Sequence, residues 1–361
     1  MANEGRKYDI LDCHTHLLKK HDAQAGTRLL ARAAEGGIET IALLSLGEMK
    51  WENENPAALV AKAAHPDRIF LFAALDYSAL NTEVEHTHTL PFGEQARRLM
   101  EMGCDGMKMI NGKPDARRAS GIALDSPIYD GFFQRLEEDG IPLLWHVVDP
   151  EEFWDAYKAP EWAKAPGWIY DENFPTKESI YGECHRVLER HPNLKVIFAH
   201  FHFLSADLPR AGALLERFPS VSLDLAPGIE MFHNFSANPE AAREFFIHHQ
   251  DRIIFGTDLV EDSPLSRIEV VRRCLETDDT FHVPKDEPLF WPDHRTTLRG
   301  LQLPEDALKK VYGENFRRLV GEKPRPLDGE KVRAELERLA AIAVQLGTSP
   351  DRAREALQVL A

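Results

Sequence analysis

YDILDCHTHLLKK, residues 8–20, decides how the rest of the chain is read. Its first half, Tyr8 to Cys13, is a short apolar run of strand type. A doubly wound nucleotide-binding sheet would follow its first strand with a glycine-rich phosphate turn. This chain places His14-Thr15-His16 there instead. On an extended chain, residues i and i+2 point to the same side, with Cβ atoms roughly 7 Å apart at the strand rise. Two imidazoles so spaced can converge on one ion through bonds of about 2.0–2.1 Å. The plain alternative is two polar residues in a turn.

Outward from this stretch, short β-branched and apolar runs alternate with helix-like segments. Strands are expected at 8–13, 38–46, 68–75, 105–110, 141–148, 194–199, 221–225 and 252–256. Helices are expected at 28–35, 56–64, 92–102, 128–139, 178–190, 207–218 and 239–249, with 304–320 as the last barrel helix. Gly36, Gly103 and Gly140 stand where helices should stop. Eight such units imply parallel strands joined by helical crossovers. Nearly continuous apolar strands imply a sheet covered on both faces. A closed (β/α)₈ barrel fits best, because closure removes the edges. This barrel domain is assigned to residues 1–321. GEKPRPLDG, from Gly321, reads as a linker, and residues 322–361 as a small C-terminal helical extension, with Ser349-Pro350-Asp351 as a helix start.

A chain of 361 residues with 43% apolar side chains can bury a core of this size. The formal charge of −16 repels phosphate backbones, so nucleic acid is not expected as a partner. No run approaches the roughly 20 apolar residues of a membrane span, and Met1 to Lys7 lacks the apolar core of a signal peptide. The expected location is the cytoplasm. Cys13, Cys104, Cys184 and Cys274 are scattered without CxxC spacing and read as buried free thiols.

Further metal-ligand residue types stand at or near strand ends. IPLLWHVV carries His146, KVIFAH ends in His200, and RIIFGTD ends in Asp258. Active sites of (β/α)₈ barrels lie at the C-terminal ends of the strands. An imidazole or carboxylate that follows a core strand needs a polar centre to face. Coincidence is a poor account of so many such positions.

DCHTH at 12–16, GMK at 106–108, His146, FAH at 198–200, GTD at 256–258 and VYGENFRRLV at 311–320 together resemble the amidohydrolase superfamily. The likeness is to the amidohydrolase-related branch that includes aminocarboxymuconate-semialdehyde decarboxylase, and it spans about residues 8–320. The resemblance implies that His14, His16, His146 and Asp258 hold a divalent metal. Zn²⁺ is the expected ion, and Mn²⁺ or Fe²⁺ suit the same ligand types. It further implies that His200 polarises the substrate, or joins the ligands of a second ion, and that Asp258 shuttles a proton. Zn²⁺ lowers the pKa of water it binds to about 7.

Lys108 ends the fourth strand. In this branch a lysine there binds a substrate carboxylate, in binuclear members it bridges two metals when carboxylated, and a salt-bridged lysine under a loop is the plain alternative. It also argues against TatD-like nucleases. The chain departs from the family in AHFHFL, where glycines commonly follow AH. His202 is accordingly a candidate substrate contact or a residue that supports the site from behind. Residues 149–177 carry Trp154, Trp162 and Trp168, with Trp154 and Trp168 as candidate substrate contacts in an apolar lid. Self-packing of that loop or a homodimer contact is the alternative. The first functional expectation is a metal-dependent hydrolase of a small amide, ester or lactone. The second is a non-oxidative decarboxylase or hydratase of an unsaturated or aromatic acid. The third is a non-catalytic metal-binding barrel.

Overall fold

The structure, a computed structural model, describes residues 8–47, 53–80, 88–291 and 295–360. The reading of Met1 to Lys7 lies outside them. Eight parallel strands run in sequence order around one sheet. They are β1 (Ile10–Thr15), β2 (Ile38–Leu44), β3 (Ile69–Ala74), β4 (Gly106–Gly112), β5 (Leu143–Val147), β6 (Val196–Phe198), β7 (Val221–Asp224) and β8 (Ile253–Ile254). The ring closes between β8 and β1 through His16 N–H to the Leu259 carbonyl (2.9 Å) and Cys13 N–H to the Phe255 carbonyl (3.0 Å). This is the (β/α)₈ barrel expected from the alternation.

The helices between strands are α1 (Ala25–Glu35), α2 (Asn55–Ala64), α3 (Phe92–Met102), α4 (Pro114–Ser120), α5 (Asp130–Glu138), α6 (Lys177–Arg190), α7 (Leu208–Arg217), α8 (Met231–Ala237) and α9 (Pro239–His248). After β8 come α10 (Ser266–Glu276), a hairpin of β9 (Thr280–His282) and β10 (Thr297–Arg299), then α11 (Glu305–Lys309), a π-helical turn (Lys310–Glu314) and α12 (Asn315–Val320). The chain ends in α13 (Gly329–Gln345) and α14 (Asp351–Leu360). None of the described helices is long and apolar enough to cross a membrane.

Strand alternation sorts the side chains into two cores. Leu11, Cys13, Phe72, Leu144, Ile197 and Ile254 fill the barrel interior. Met107, Met109, Trp145, Phe198 and Leu223 face the helices. The interior is therefore packed, and only its C-terminal mouth is polar.

The expected last barrel helix needs correction. α10 takes that place, packing beside α1 with Ile268 against Gly36 and Arg272 bonded to the Gly36 carbonyl (3.1 Å). Residues 305–320 instead close the barrel floor. Phe316 enters the interior against Phe70 (ring centroids 5.1 Å). Asn315 Nδ2 donates to the Ile253 carbonyl (2.8 Å), and Phe255 N–H donates to the Val311 carbonyl (2.8 Å) within the widened π turn.

The C-terminal extension is pinned to the barrel. Gly103 ends α3 at φ 106°, and a Cβ there would lie 2.2 Å from the Pro326 carbonyl oxygen, so glycine permits both the left-handed turn and the passage of the linker. Arg325 N–H donates to Asp105 (2.8 Å), whose other oxygen forms a buried ion pair with Lys62. From α13, Arg338 reaches Asp76 beyond β3 (2.7 Å).

Candidate metal centre

The two histidines after the first apolar run do not follow simple alternation. Leu11 and Cys13 face the interior, so an even strand would turn His14 outward. The β1–β2 register slips between Asp12 and Thr15, and such irregularities re-aim side chains near active sites. His14 and His16 thereby share the barrel mouth, with ring centroids 5.2 Å apart. Gly256 lets β8 come close: a Cβ on it would stand 3.1 Å from the His14 Cβ and 3.2 Å from the Cys13 sulfur.

Each imidazole has one nitrogen committed. His14 Nδ1 pairs with Asp224 Oδ2 (2.7 Å), and His16 Nδ1 with the Leu44 carbonyl (2.9 Å). Both Nε2 atoms face Asp258 Oδ1, at 3.8 and 3.6 Å. These gaps are too long for good hydrogen bonds. One ligand atom from each of His14, His16 and Asp258 falls within 4.8 Å of the others. The donor set suits a divalent ion: two neutral imidazoles fixed by outer partners and one carboxylate.

Electrostatics keep the set ready for a cation. Burial pushes His16 down to about 4 and holds His14 well below its ordinary value, with the Lys108 charge adding to both. Both rings are neutral at pH 7, as ligation requires. Burial alone would raise Asp258, but His14, His16 and His200 outweigh it and hold the carboxyl well below the usual range. Asp258 stands at φ 54°, with its carbonyl held by Arg267 (3.0 Å), which Glu287 grips in turn through two bonds.

His200 adjoins this set, its ring centroid 5.0 Å from that of His14 and 4.8 Å from that of His146. Its Nδ1 pairs with the Ala226 carbonyl (3.0 Å), and its backbone N–H donates to Asp224 Oδ1 (2.7 Å). His146 lies outside the three-residue cluster, its Nε2 bonded to Asp149 Oδ1 (3.0 Å). Lys108 shares the inward parity of Leu144 and His146 and is buried, which pushes it down to about 8. Among the described residues, no carboxylate forms an ion pair with its ammonium.

Two sets of candidate substrate contacts, His202 and the loop tryptophans, lie outside the three-residue cluster. His202 does not face the mouth: it is fully buried and stacks on Phe198 at 3.8 Å and near Tyr181 at 4.7 Å, both outside the barrel wall. The cause is the backbone. His200 to Phe203 are four successive residues with φ between 51° and 56°, a left-handed turn costing roughly 1–2 kcal/mol per non-glycine residue. Packing of Phe201 against Phe235, Phe245 and Phe246, and the Tyr181 hydroxyl on the His202 carbonyl (2.7 Å), hold it. Trp154 and Trp168 belong to a small core with Phe153, Tyr170 and Phe174, joined by Ile229 from the segment after β7 and by Trp291. Trp168 donates its indole N–H to Asp115 (3.0 Å), and Trp162 packs on Trp168 and Phe153. Their link to the mouth is indirect: Asp149 holds His146, Lys113 and the Tyr170 hydroxyl together.

His202 gives a pH prediction. Burial holds it well below its ordinary value, and neither ring nitrogen has a hydrogen-bond partner among the described residues. The unfolded chain takes up a proton there below about pH 6.5, the folded chain does not, and stability therefore falls as pH drops below that value, by up to about 1.4 kcal/mol per pH unit. His202→Phe keeps the ring stack and removes this proton. Urea unfolding between pH 7 and 5 should show a slope shallower by about one proton, and an unchanged slope refutes the assignment.

Asp224 was not singled out in the sequence, although it ends the run VSLD as the other candidates end theirs. It orients His14 and anchors His200, and burial pushes it up to about 6. Asp224→Asn should weaken metal affinity about 10–100-fold, the usual effect of losing such a partner. Chelator competition measures this, and wild-type affinity would count against the role.

A family model described as Amidohydrolase matches residues 11–321. The sequence matches none of the curated proteins. Among solved structures, an uncharacterized TIM-barrel protein from Bordetella bronchiseptica is 14% identical, with TM-score 0.51, covering 86% of this chain and 98% of its own. An amidohydrolase II structure has the same identity and TM-score, covering 86% and 99%. 2,6-Dihydroxybenzoate decarboxylase from Rhizobium is 16% identical, with TM-score 0.48, covering 87% and 98%. With the barrel and the family match over most of its length, the chain belongs to the amidohydrolase family of enzymes.

Proposed function

We propose that this enzyme is divalent-metal-dependent and removes the carboxylate of a small unsaturated or aromatic acid without redox chemistry. His14, His16 and Asp258 would hold the ion, with His146 and His200 beside them. The ion would supply a Lewis-acidic positive charge in the mouth. Lys108 carries the choice of substrate. It is a buried cation without an ion-pair partner among the described residues, close enough to Asp224 and Asp258 to interact with them electrostatically. A buried charge of this kind is best satisfied by an anionic ligand. The neutral His200 imidazole, its Nδ1 proton given to the Ala226 carbonyl, can accept a hydrogen bond at the reacting group through Nε2, while Asp258 holds and returns a proton.

A second reading, hydrolysis of an amide, ester or lactone, is favoured by Asp258, whose carboxylate beside two open imidazole nitrogens suits water activation. Zn²⁺ leads for this donor set, with Mn²⁺ and Fe²⁺ next. The test is a screen of metal-loaded protein against aromatic and unsaturated acids, followed by CO₂ release, and against lactones, amides and neutral esters, followed by acid release. Lys108→Met should raise KM for the acid at least about tenfold, since a charge-assisted contact contributes roughly 1.5–3 kcal/mol. Turnover of neutral esters alone, unaffected by Lys108→Met, would replace this reading with the second.

A further inference from the structure

A second cavity lies on the same face, behind Phe203. It holds about 380 Å³ between the segments that follow β5, β6 and β7. Phe203 is its wall toward the mouth, with its ring 5.2 Å from His200 and 5.5 Å from His146 by centroid. Glu230 lies in its lining, 6% exposed, and neither of its carboxylate oxygens has a hydrogen-bond partner among the described residues. Glu152 lines the same space, with Oε2 also unpartnered.

The nearby cations are engaged elsewhere. Lys177 bonds the Phe203 carbonyl (3.4 Å) and pairs with exposed Glu151 (3.5 Å). Arg295 pairs with Glu152 Oε1 (3.5 Å), and Arg210 is taken by Glu178 through two bonds of 2.8 Å. Burial and the repulsion of Glu152 push the Glu230 carboxyl up to about 7. A buried carboxylate with both oxygens free is costly alone and is relieved by a donor pair. Oε2 lies 2.5 Å from where a Cβ on Gly228 would stand, so a side chain at 228 would push the carboxylate aside.

We propose that this cavity is a binding site for a planar amidinium or guanidinium group on a small molecule, received by Glu230 and separate from the metal centre. Two parallel N–H donors match the two free oxygens, as in bidentate pairs of guanidinium with carboxylate. A lone metal ion suits the site less, since it would want more oxygen ligands than two carboxylates supply. The Phe203 and Tyr181 side chains provide apolar surface for the body of the ligand, and the volume is within the range of small-molecule pockets.

The probe is benzamidine, titrated by calorimetry into the full-length protein, with neutral benzamide as control. Saturable binding of benzamidine and none of benzamide is expected. Glu230→Gln, which keeps shape and loses charge, should weaken it at least about tenfold, given the strength of charged hydrogen bonds. Gly228→Ala, which keeps the charge and displaces the carboxylate, should weaken it as well. His14→Ala/His16→Ala should bind benzamidine as the wild type does, so this result stands or falls apart from the metal assignment. Absence of saturable binding overturns the proposal, as does wild-type affinity in both Glu230→Gln and Gly228→Ala. Loss of binding in the His14/His16 variant also overturns it, by placing the probe in the metal centre.

Discussion

Asp258→Asn is expected to hold metal more weakly and to lose about 10²–10⁴-fold of turnover, the range seen when a general base is removed. The substitution keeps size and hydrogen-bonding shape and deletes only the charge. That charge faces the open Nε2 atoms of His14 and His16. It is kept ionised by its surroundings despite burial, so it accepts a proton only transiently and then returns it. The backbone supports the same role. Asp258 sits at positive φ, a turn conformation that aspartate tolerates better than most residues, and Arg267 holds its carbonyl in place. His200→Asn makes the contrast. It should also lose turnover but keep metal nearly intact, because His200 lies outside the three-residue cluster and packs its ring against His14. Parallel metal titration and kinetics separate the two. Normal turnover in Asp258→Asn would remove it from the chemistry, and complete metal loss in His200→Asn would make that histidine a ligand.

The barrel was legible because its strands are buried on both faces and candidate metal-ligand residues stand at or just beyond their ends. His14, His16, His200 and Asp258 all stand beyond apolar runs, and the fold gathers them at one mouth. Asp224 carries a weaker signal, because it stands inside the strand expected at 221–225 and no second ligand-type residue at i+2 marks it. Arg267 was hidden differently. The stretch after Asp258 reads as a long connection, yet SRIEVVRRCLE buries Ile268, Val271, Cys274 and Leu275 on one side and forms α10. His202 could not be oriented from sequence. The HxH spacing aims two imidazoles together only on an extended chain, and a left-handed turn from His200 to Phe203 reverses the second. The tryptophan-rich loop was ambiguous because indoles that line a lid and indoles that build its core have the same composition. The contact between Arg338 and Asp76 spans 262 positions, and no local pattern announces it.

Arg338→Ala is expected to cost about 3–5 kcal/mol of stability, the penalty of breaking a buried ion pair from one side. Arg338 is 8% exposed, Asp76 0% and Glu335 9% by side chain, so water screens the trio little. The guanidinium also donates to the His88 carbonyl (3.1 Å), which ties α13 to the segment before α3 as well as to the end of β3. Burial would lower the arginine, but Glu335 and Asp76 outweigh it and hold it firmly charged. Removing it leaves Asp76 with Ser78 as a remaining partner and Glu335 without its own. The loss should appear as a fall in the urea midpoint, with early release of α13 and α14 detected by hydrogen exchange. The triple change Arg338→Met, Glu335→Gln, Asp76→Asn removes all the charges and keeps most of the volume. It should recover much of the loss, because an apolar or neutral replacement of a whole buried ionic group is often close to neutral. If Arg338→Ala unfolds at the wild-type midpoint, the C-terminal helices are held by their apolar faces alone. If the triple variant is as unstable as the single one, the arginine acts by shape and not by charge.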